Sequence, residues 1–412
     1  MSALERFIRY AEIDTQSDPY SGTTPSTMKQ FDLARLLVQE LQEMGIEDAW
    51  LSETGYVYGH LPANTDAAVP TVGFIAHMDT APDFSGTGVR PRVIENYDGK
   101  DIELAPGIVT KVENFPVLKE YAGETLVVTD GSTLLGADDK AGITAIMEAL
   151  QYLLAHPEVK HGRIAVAFTP DEEIGEGTKF FDLERFGAAF AFTMDGGAIH
   201  MYADETFNAA AAKAVFHGFS IHPGSAKNRM INAAGLAVEF AGKLPQWMRP
   251  EHTAGHEGFI HLTHMSGNTE KAVLEYILRD HDTAKLEHQK EIMQSCAEQI
   301  RQVYGTGTVE LTITDSYQNM RNILKDHPEI SELALSAIRE IGLEPEYEIV
   351  RGGTDGAQLT YRGLPCPNLG TGGGNMHGRY EYLVVGQLEK AVQLICTIIR
   401  RTAEQAETCG TR

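Results

Sequence analysis

Apolar residues follow two spacings along the chain, one typical of helices and one typical of short buried strands. Helical spacing occurs at 4–11 and again at 33–44, where Gly45 predicts the end of the helix. Uninterrupted apolar runs that are too short for helices predict buried strands at 72–76, 126–128, 164–168 and 190–194. Strands of this kind that alternate with helices predict an α/β fold.

The segment 206–316 predicts a separate unit with its own apolar faces. Its pattern predicts a strand, a helix, two strands, a helix and a strand, at 209–216, 231–241, 259–264, 272–278, 283–303 and 309–314. Such a unit can pack as an α+β layer. The first pattern then resumes with a helix at 330–341, a strand at 347–350 and a closing helix at 385–401.

We therefore predict a discontinuous domain formed by residues 1–205 and 317–412, with an inserted α+β domain at 206–316. Two domains also fit the length of 412 residues, which is too long for one small core. Residues 85–121 are rich in Gly, Pro and charge, so they predict a long excursion outside the core.

The composition narrows the classes of function. Acidic residues number 58 and basic residues 34, for a formal charge of -24, and such a surface repels phosphate backbones and anionic lipids. We therefore expect no nucleic-acid partner and no membrane partner, and no apolar run is long enough to span a bilayer. The four cysteines are scattered, and the amino end lacks the apolar core of a signal peptide, so we expect free thiols and a cytoplasmic location.

The stretch 135–142 holds two adjacent carboxylates, Asp138 and Asp139, between an apolar run and a helical pattern. Carboxylates at a strand-to-helix junction lie where open α/β sheets place their ligands. Taken alone, an Asp pair followed by Lys140 is more common as a solvated, capped start of a helix. The importance of this stretch therefore depends on similar residues elsewhere in the chain.

Other predicted strands also end in chemically active side chains. The strand at 72–76 is followed by His77 and, two residues later on the same side of a strand, by Asp79. The strands at 164–168 and 190–194 are followed by Glu172, Glu173 and Asp195. A lone histidine near a strand end is more commonly just hydrogen-bonded, but several such strands together predict a binding site at one edge of a sheet.

With His377, these residues form a mixed nitrogen and oxygen ligand set of the kind that zinc accepts. The candidate ligands are His77, Asp138, Glu173, Asp195 and His377. Two ions that share a bridging carboxylate would each have three protein ligands and would lie roughly 3.5–4 Å apart, with an activated water between them. Glu172 is then placed to accept the proton of the water, and Asp79 would orient the imidazole of His77.

Seven short motifs, in the same order, resemble those of the M20 metallopeptidases. They are H-M-D-T at His77, G-A-D-D-K-A-G at Gly136, T-P-D-E-E at Thr169, M-D-G-G at Met194, H-P-G at His222, R-G-G-T-D-G at Arg351 and N-M-H-G at Asn375. The resemblance extends from the first predicted helix to the last. It implies a zinc-peptidase-like catalytic domain, with a mixed sheet flanked by helices, and a smaller inserted α+β lid domain.

The resemblance also implies how the metal ligands are shared. His77, Asp138 and Asp195 would bind one zinc ion, whereas Asp138, Glu173 and His377 would bind the other. Asp138 would therefore bridge the two ions. The family has a non-proline cis peptide bond after its bridging aspartate, and we expect that bond after Asp138 here.

Other residues take their expected roles from the same resemblance. Glu172 matches the proton acceptor of the family, and Asp79 matches its active-site aspartate. His222 resembles the lid-domain histidine that stabilises the oxyanion, although a plain turn histidine is the alternative. Arg279 and Arg351 are candidates for holding a peptide carboxylate, and an ordinary ion pair is the alternative for each.

Within the family, the likeness is greatest to its tripeptide aminopeptidases. The expected activity is removal of the N-terminal residue from tripeptides, with small peptides as the partners and a monomer or a homodimer as the assembly. Another activity of the family, such as that of a dipeptidase, a carboxypeptidase or an N-acyl amino acid deacylase, is the nearest alternative. A non-catalytic zinc-binding protein is a more distant one.

Overall fold

The computed structural model describes residues 1–410, and they form two compact units. The first unit comprises Met1–Asp204, Asn322–Glu348 and the chain from Thr354 onward. The second unit comprises Glu205–Arg321 and Ile349–Gly353. Residues 349–353 were predicted to belong to the discontinuous domain, but they fall in the second unit, where the N–H of Phe207 donates to the carbonyl of Gly352 at 3.2 Å.

The helices and strands follow in chain order. The helices are α1 (Ala3–Ala11), α2 (Gln30–Glu43), α3 (Ala137–Ala155), α4 (Leu183–Phe186), α5 (Ala233–Lys243), α6 (Thr283–Tyr304), α7 (Arg321–Leu324), α8 (Pro328–Glu340), α9 (Asp355–Tyr361) and α10 (Val385–Gly410). The strands are β1 (Trp50–Leu51), β2 (Val57–Leu61), β3 (Val72–His77), β4 (Arg92–Ile94), β5 (Ile102–Ala105), β6 (Ile108–Thr110), β7 (Leu126–Val128), β8 (Ile164–Thr169), β9 (Phe190–Gly196), β10 (Met201–Ala203), β11 (Asn208–His217), β12 (Phe259–Gly267), β13 (Lys271–Asp280), β14 (Val309–Tyr317), β15 (Glu346–Tyr347), β16 (Asn368–Gly370), β17 (Gly373–Gly374) and β18 (Tyr382–Val384).

The large sheet of the first unit is mixed and has the order β1-β2-β8-β3-β9-β16-β10-β15. Its central strands are parallel, and Val72 of β3 is in register with Ile164 of β8 and with Phe190 of β9. Every residue of β3 and β8 is buried, which explains their uninterrupted apolar runs. The carboxyl ends of β8, β3 and β9 therefore lie side by side at one edge of the sheet.

Helices of the first unit cover this sheet and share one apolar core with it. The cluster includes Phe7 of α1, Leu37 of α2, Ile146 of α3, Leu333 of α8 and Ile395 of α10. The predicted α/β fold, a mixed sheet flanked by helices, is thereby confirmed.

A smaller sheet in the first unit, of order β17-β18-β7-β4, corrects one prediction. Residues 85–121 were expected to lie outside the core, yet Tyr97, Leu104 and Leu118 are buried against β7 and β18. The segment contains β4, β5 and β6, and its Gly and Pro residues mark the turns between them. Widely spaced apolar residues produced neither of the periodic patterns from which a core segment is predicted.

The second unit is built on an antiparallel sheet of order β12-β13-β11-β14. Burial alternates along β13, because one side of the sheet packs on apolar side chains of α5 and α6. The strands and helices predicted between 206 and 316 are all present, each within a few residues of its predicted bounds. Among residues 1–410, no helix combines the length and the apolar character that a bilayer crossing requires.

Candidate metal centre

Three neighbouring strands of the large sheet bring carboxylate and imidazole groups to one edge. His77 is the last residue of β3, and Asp195 lies near the end of β9. Strand β8 leads into a short 3-10 helix, Glu172–Ile174, which carries Glu172 and Glu173. Because the three strands are parallel, these side chains converge at the edge where open α/β sheets bind their ligands.

The small sheet supplies two further side chains. Asp138 lies in the first turn of α3, which follows the loop after β7, and His377 lies in the loop between β17 and β18. Strands β7 and β18 pair with each other, so the two loops that follow and precede them are neighbours. The peptide bond between Asp138 and Asp139 is cis, as the resemblance led us to expect.

The two oxygens of Asp138 face two different imidazoles. Its Oδ1 lies 2.9 Å from Nε2 of His77, and its Oδ2 lies 3.2 Å from Nε2 of His377. Nε2 of His77 is also 3.5 Å from Oδ1 of Asp195, and Nε2 of His377 is 3.0 Å from Oε2 of Glu173. The structure thus brings together all five residues that the sequence analysis proposed as ligands, with Asp138 in the middle.

The hydrogen bonding of His77 identifies the nitrogen that is free for a metal. Its Nδ1 lies 3.0 Å from the backbone carbonyl of Asp79, and a carbonyl only accepts, so Nδ1 carries a proton. In a neutral imidazole, Nε2 then presents a lone pair toward the carboxylates of Asp138 and Asp195. A cation between these three groups would satisfy them all, and histidines that bind metals commonly donate their other ring N–H to a carbonyl in this way.

Two groups of three residues are each compact enough to hold a cation. Within each group, the ligand atoms all lie within 4.8 Å of one another. One group is His77, Asp138 and Glu173, and the other is His77, Glu172 and Asp195. Neither group is one of the two expected ligand triads, and neither includes His377. The first group combines His77 with Glu173, which were assigned to different ions, and the second includes Glu172, which was assigned as the proton acceptor. A carboxylate this close to the candidate ligands is also within reach of a water bound there.

Burial and mutual repulsion shift the titration of these carboxyl groups. Burial raises the pKa of Glu172 well above its usual range, and the charge of Asp195 adds to this effect. Burial also raises the pKa of Glu173, to about 8, and that of Asp195, to about 6. Burial acts in the same sense on Asp138, but hydrogen bonds from His377 and His77 outweigh it and lower the pKa of this carboxyl. The site concentrates negative charge that a divalent cation would neutralise.

Asp79 binds the backbone of the turn that carries Glu172 and Glu173. Its carboxylate accepts the backbone N–H groups of Glu172 and Glu173, at 3.0 and 3.2 Å. Its own Oδ1 is 3.4 Å from Nδ1 of His77, farther than its carbonyl, so the carbonyl is the nearer partner of the imidazole. The main contact of the Asp79 carboxylate is therefore with the turn that carries the two glutamates.

Three buried carboxyl groups near the site were not found from the sequence. Glu381 accepts the N–H groups of Leu135, Gly136 and Asp138, and burial raises its pKa to about 7 although these bonds oppose the shift. The other two, Asp171 and Asp355, form their hydrogen bonds at the carboxyl end of β8. Asp171 accepts from Ser26 and Gln30, and Asp355 accepts from the hydroxyl of Thr169 at 2.7 Å. Their partners are backbone groups or distant side chains, for which the sequence carries no signal.

The remaining candidate residues belong to the second unit. His222 lies in a turn, where its Nδ1 accepts the N–H of Gly224 at 3.2 Å. Arg279 of β13 donates to the carbonyls of Leu278 and Ala210, at 2.9 and 3.2 Å.

Arg351, also in the second unit, contacts a loop of that unit. Its Nη1 donates to the carbonyls of Gly255 and Glu257, at 2.5 and 2.8 Å. Its Nη2 donates to the hydroxyl of Thr253 at 3.0 Å. Both candidate arginines therefore already use part of their hydrogen-bonding capacity within the chain.

Solved structures share the fold of the chain. The aminopeptidase PepT of Bacillus cereus has a TM-score of 0.77 and 23% identity, with 97% of this chain and 98% of that chain covered. A tripeptidase of Staphylococcus aureus has a TM-score of 0.78 and 22% identity, with 98% of both chains covered. A dinuclear metal binding peptidase of the M20 family from Bacillus subtilis has a TM-score of 0.66 and 14% identity, again with 98% of both covered.

Sequence similarity is closer. The chain is 50% identical over 405 residues to a protein named Peptidase T from Geobacillus sp. (strain WCH70), with 98% of this chain and 99% of the relative covered. Residues 125–401 match the family model described as Peptidase family M20/M25/M40. The chain therefore belongs to the peptidase family M20/M25/M40 and is a hydrolase of peptide bonds.

Proposed function

We propose that this peptidase is a tripeptide aminopeptidase that uses two zinc ions to release the N-terminal residue of its substrate. The names of its relatives support this specificity, since one neighbour in fold is an aminopeptidase and another is a tripeptidase. The relative at 50% identity is named Peptidase T. We also propose a cytoplasmic location, because the described cysteines Cys296, Cys366 and Cys396 are free thiols.

The observation that carries the proposal is the placement of Asp138 between two imidazoles. Each of its oxygens faces a ring nitrogen, at 2.9 and 3.2 Å, and each nitrogen also faces one further carboxylate. We assign His77, Asp138 and Asp195 to one zinc ion, and Asp138, Glu173 and His377 to the other. Imidazole and carboxylate are ligands that zinc accepts in hydrolytic sites.

Two bound zinc ions supply a water of lowered pKa and polarise the carbonyl of the scissile bond. Glu172 accepts the proton of the attacking water and later passes it to the leaving amine. Burial raises the pKa of Glu172, which favours its taking up a proton. Asp79 fixes the turn that presents Glu172, through the backbone N–H groups of that turn.

His222, Arg279 and Arg351 are the residues that we assign to binding the rest of the peptide. Nδ1 of His222 accepts a hydrogen bond, so the proton of its neutral ring is on Nε2, which can donate to the developing oxyanion. We assign the peptide carboxylate to donors of Arg279 and Arg351 that their carbonyl contacts leave available. Substitution of either arginine should raise KM for tripeptides more than it lowers kcat.

The central test is the variant Glu172→Gln. It should retain two zinc ions per chain and lose about 10²- to 10⁴-fold in kcat, because an amide cannot take the proton of the water. Glu158→Gln is the matched control, since that glutamate is exposed and follows the end of α3, which is the end of the helix away from Asp138. Wild-type turnover by Glu172→Gln would remove Glu172 from the mechanism.

Specificity is tested with one tripeptide and its N-acetylated form. An aminopeptidase requires the free amine, so only the unmodified tripeptide should be cleaved. Cleavage of the acetylated form would point instead to one of the other activities of the family. Activity that is lost with a chelator and restored with zinc would exclude a non-catalytic protein.

A further inference from the structure

We propose that Glu381 is a positioning residue that holds Asp138 and His377 at the separation that the metal ions require. The inference rests on the proposed function, because it concerns the same pair of ions. Glu381 is not a metal ligand. It acts through the backbone of the loops that carry two of the ligands.

The carboxylate of Glu381 accepts hydrogen bonds from the backbone at the start of α3 and in the loop before it. Its Oε2 accepts the N–H groups of Leu135 and Gly136, at 2.7 and 2.8 Å, and its Oε1 accepts the N–H of Asp138 at 3.1 Å. Glu381 is only 1% exposed, so these bonds are protected from water. The backbone on both sides of Ala137 is therefore fixed by one side chain.

The backbone of the same residue belongs to the loop that carries His377. The N–H of Glu381 donates to the carbonyl of Gly378 at 3.2 Å, and the side chain of Asn375 donates to the carbonyl of Tyr380 at 3.2 Å. His377 lies between Asn375 and Tyr380, directly before the turn that Glu381 closes, and has a positive φ of 63°. The backbone of Glu381 thus belongs to one ligand loop while its side chain binds the other.

This connection matters because Asp138 and His377 must bind one ion together. Nε2 of His377 is 3.2 Å from Oδ2 of Asp138, and small movements of either loop would change that distance. The two loops are far apart in sequence, and in addition to the β7–β18 pairing the side chain of Glu381 joins them by hydrogen bonds to three backbone N–H groups. Supporting groups of this kind usually affect metal affinity about 10- to 100-fold.

Both oxygens of Glu381 are needed for this role. Three N–H groups converge on them, and all three are donors. Glutamine would offer one acceptor oxygen, and its NH₂ group would face an N–H of the loop without forming a bond. Aspartate would keep both acceptors and the charge but would be one methylene shorter.

The test compares zinc binding by wild type, Glu381→Gln and Glu381→Asp. Protein stripped with a chelator is titrated with zinc alone, and the affinity of each of the two binding steps is measured. Glu381→Gln should weaken the step assigned to His377 by about 10- to 100-fold, and turnover should recover when zinc is raised to saturation. Glu381→Asp should give an intermediate loss.

Glu40→Gln is the matched control. Glu40 is 7% exposed and accepts bonds from Arg6, Arg9 and Tyr10, but it lies on α2 away from the ligands. This variant should unfold at a lower temperature and yet bind both zinc ions as wild type does.

The outcomes separate this inference from the proposed function. If wild type binds two zinc ions and Glu381→Gln binds them equally well, the positioning role is wrong while the metal centre stands. If Glu381→Gln does not fold, unchanged affinity in Glu381→Asp has the same consequence. Failure of wild type to bind two ions would instead overturn the proposed function.

Discussion

Asp138 is the residue on which both proposed metal sites depend, because its two oxygens face different imidazoles. Its surroundings also contain the carboxylates of Glu173 and Asp195, and like charges at this spacing are unfavourable in a buried site. The protonated imidazoles offset part of this repulsion in the absence of an ion. A pair of divalent cations would offset more of the repulsion between the carboxylates, so the arrangement is suited to binding metal ions.

His377 provides the sharpest test of the ligand assignment. His377→Ala should reduce the zinc content from two ions per chain to one and lower kcat about 10²-fold or more, because half of the site that activates the water is lost. The side chain is 46% exposed, so its removal leaves little unfilled space. Metal analysis of the purified variant measures the effect.

A second variant distinguishes the loss of the imidazole ligand from the effect of backbone strain. The φ of His377 is 63°, which alanine adopts at a cost, whereas asparagine adopts it readily. His377→Asn should therefore lose the same ion without backbone strain. His288→Ala is the control, since His288 is exposed on α6. Two ions in both His377 variants would show that His377 is not a ligand.

Sequence reasoning located residues that act through chemically distinctive side chains but not those that act by holding backbone. His77, Glu172 and Asp195 were found because a carboxylate or an imidazole directly after a buried strand is unusual. Glu381 follows no such run, and its partners are backbone N–H groups of a loop distant in sequence. Every residue except proline has such a donor, so no pattern of residue types identifies the pairing.

Helices and strands were predictable where burial gave the sequence a recognisable pattern, either helical spacing or an uninterrupted apolar run. Strands β3, β8 and β9 are buried on both faces, and their apolar runs predicted them correctly. The motif at 351–356 was interpreted as a loop, but α9 begins at Asp355, with Thr354 capping it through a bond to the N–H of Ala357. Helix α9 is short, so it contains too few turns to show a helical period.

The packing of α3 on β9 predicts a contrast between two helical glycines. A Cβ on Gly142 would overlap the carbonyl oxygen of Met194, whereas a Cβ on Gly242 of α5 would have no atom within 4 Å. Gly142→Ala should therefore destabilise the first unit by about 1–3 kcal/mol or more, because the helix must move away from the sheet. Gly242→Ala should leave Tm unchanged or raise it slightly, since alanine favours a helix by up to about 1 kcal/mol.

Thermal unfolding of both variants measures this contrast. Because α3 also carries Asp138, Gly142→Ala should weaken zinc binding as well, and Gly242→Ala should not. Equal Tm values for the two variants would mean that α3 is not held against β9 as tightly as the structure shows.

The residues proposed for the site are distributed over both units. Every proposed metal ligand lies in the first unit, whereas His222, Arg279 and Arg351 lie in the second. Each unit has its own apolar core, so neither depends on the metal site to acquire a hydrophobic interior. The ions should therefore tune the stability of a protein that is already folded rather than create the fold, in contrast to small zinc domains.

Removal of metal should consequently lower Tm by an amount that depends on pH. In the metal-free protein, burial raises the pKa of Glu173 from 4.5 to about 8, and hydrogen bonds to Asp138 and Glu173 raise that of His377 from 6.5 to about 11. Groups with a raised folded pKa bind protons more tightly when folded, so their stabilisation is complete at low pH. It is lost as pH rises from the unfolded toward the folded value.

Zinc takes the place of those protons, so the loaded protein should escape this loss. We expect the Tm difference between zinc-loaded and chelated protein to be larger at pH 8 than at pH 6, because the metal-free form weakens across that interval while the loaded form does not. Scanning calorimetry of both forms at the two pH values measures it, with His377→Asn expected to show a smaller difference. A Tm difference that stays constant or shrinks from pH 6 to pH 8 would mean that zinc does not replace protons on these residues.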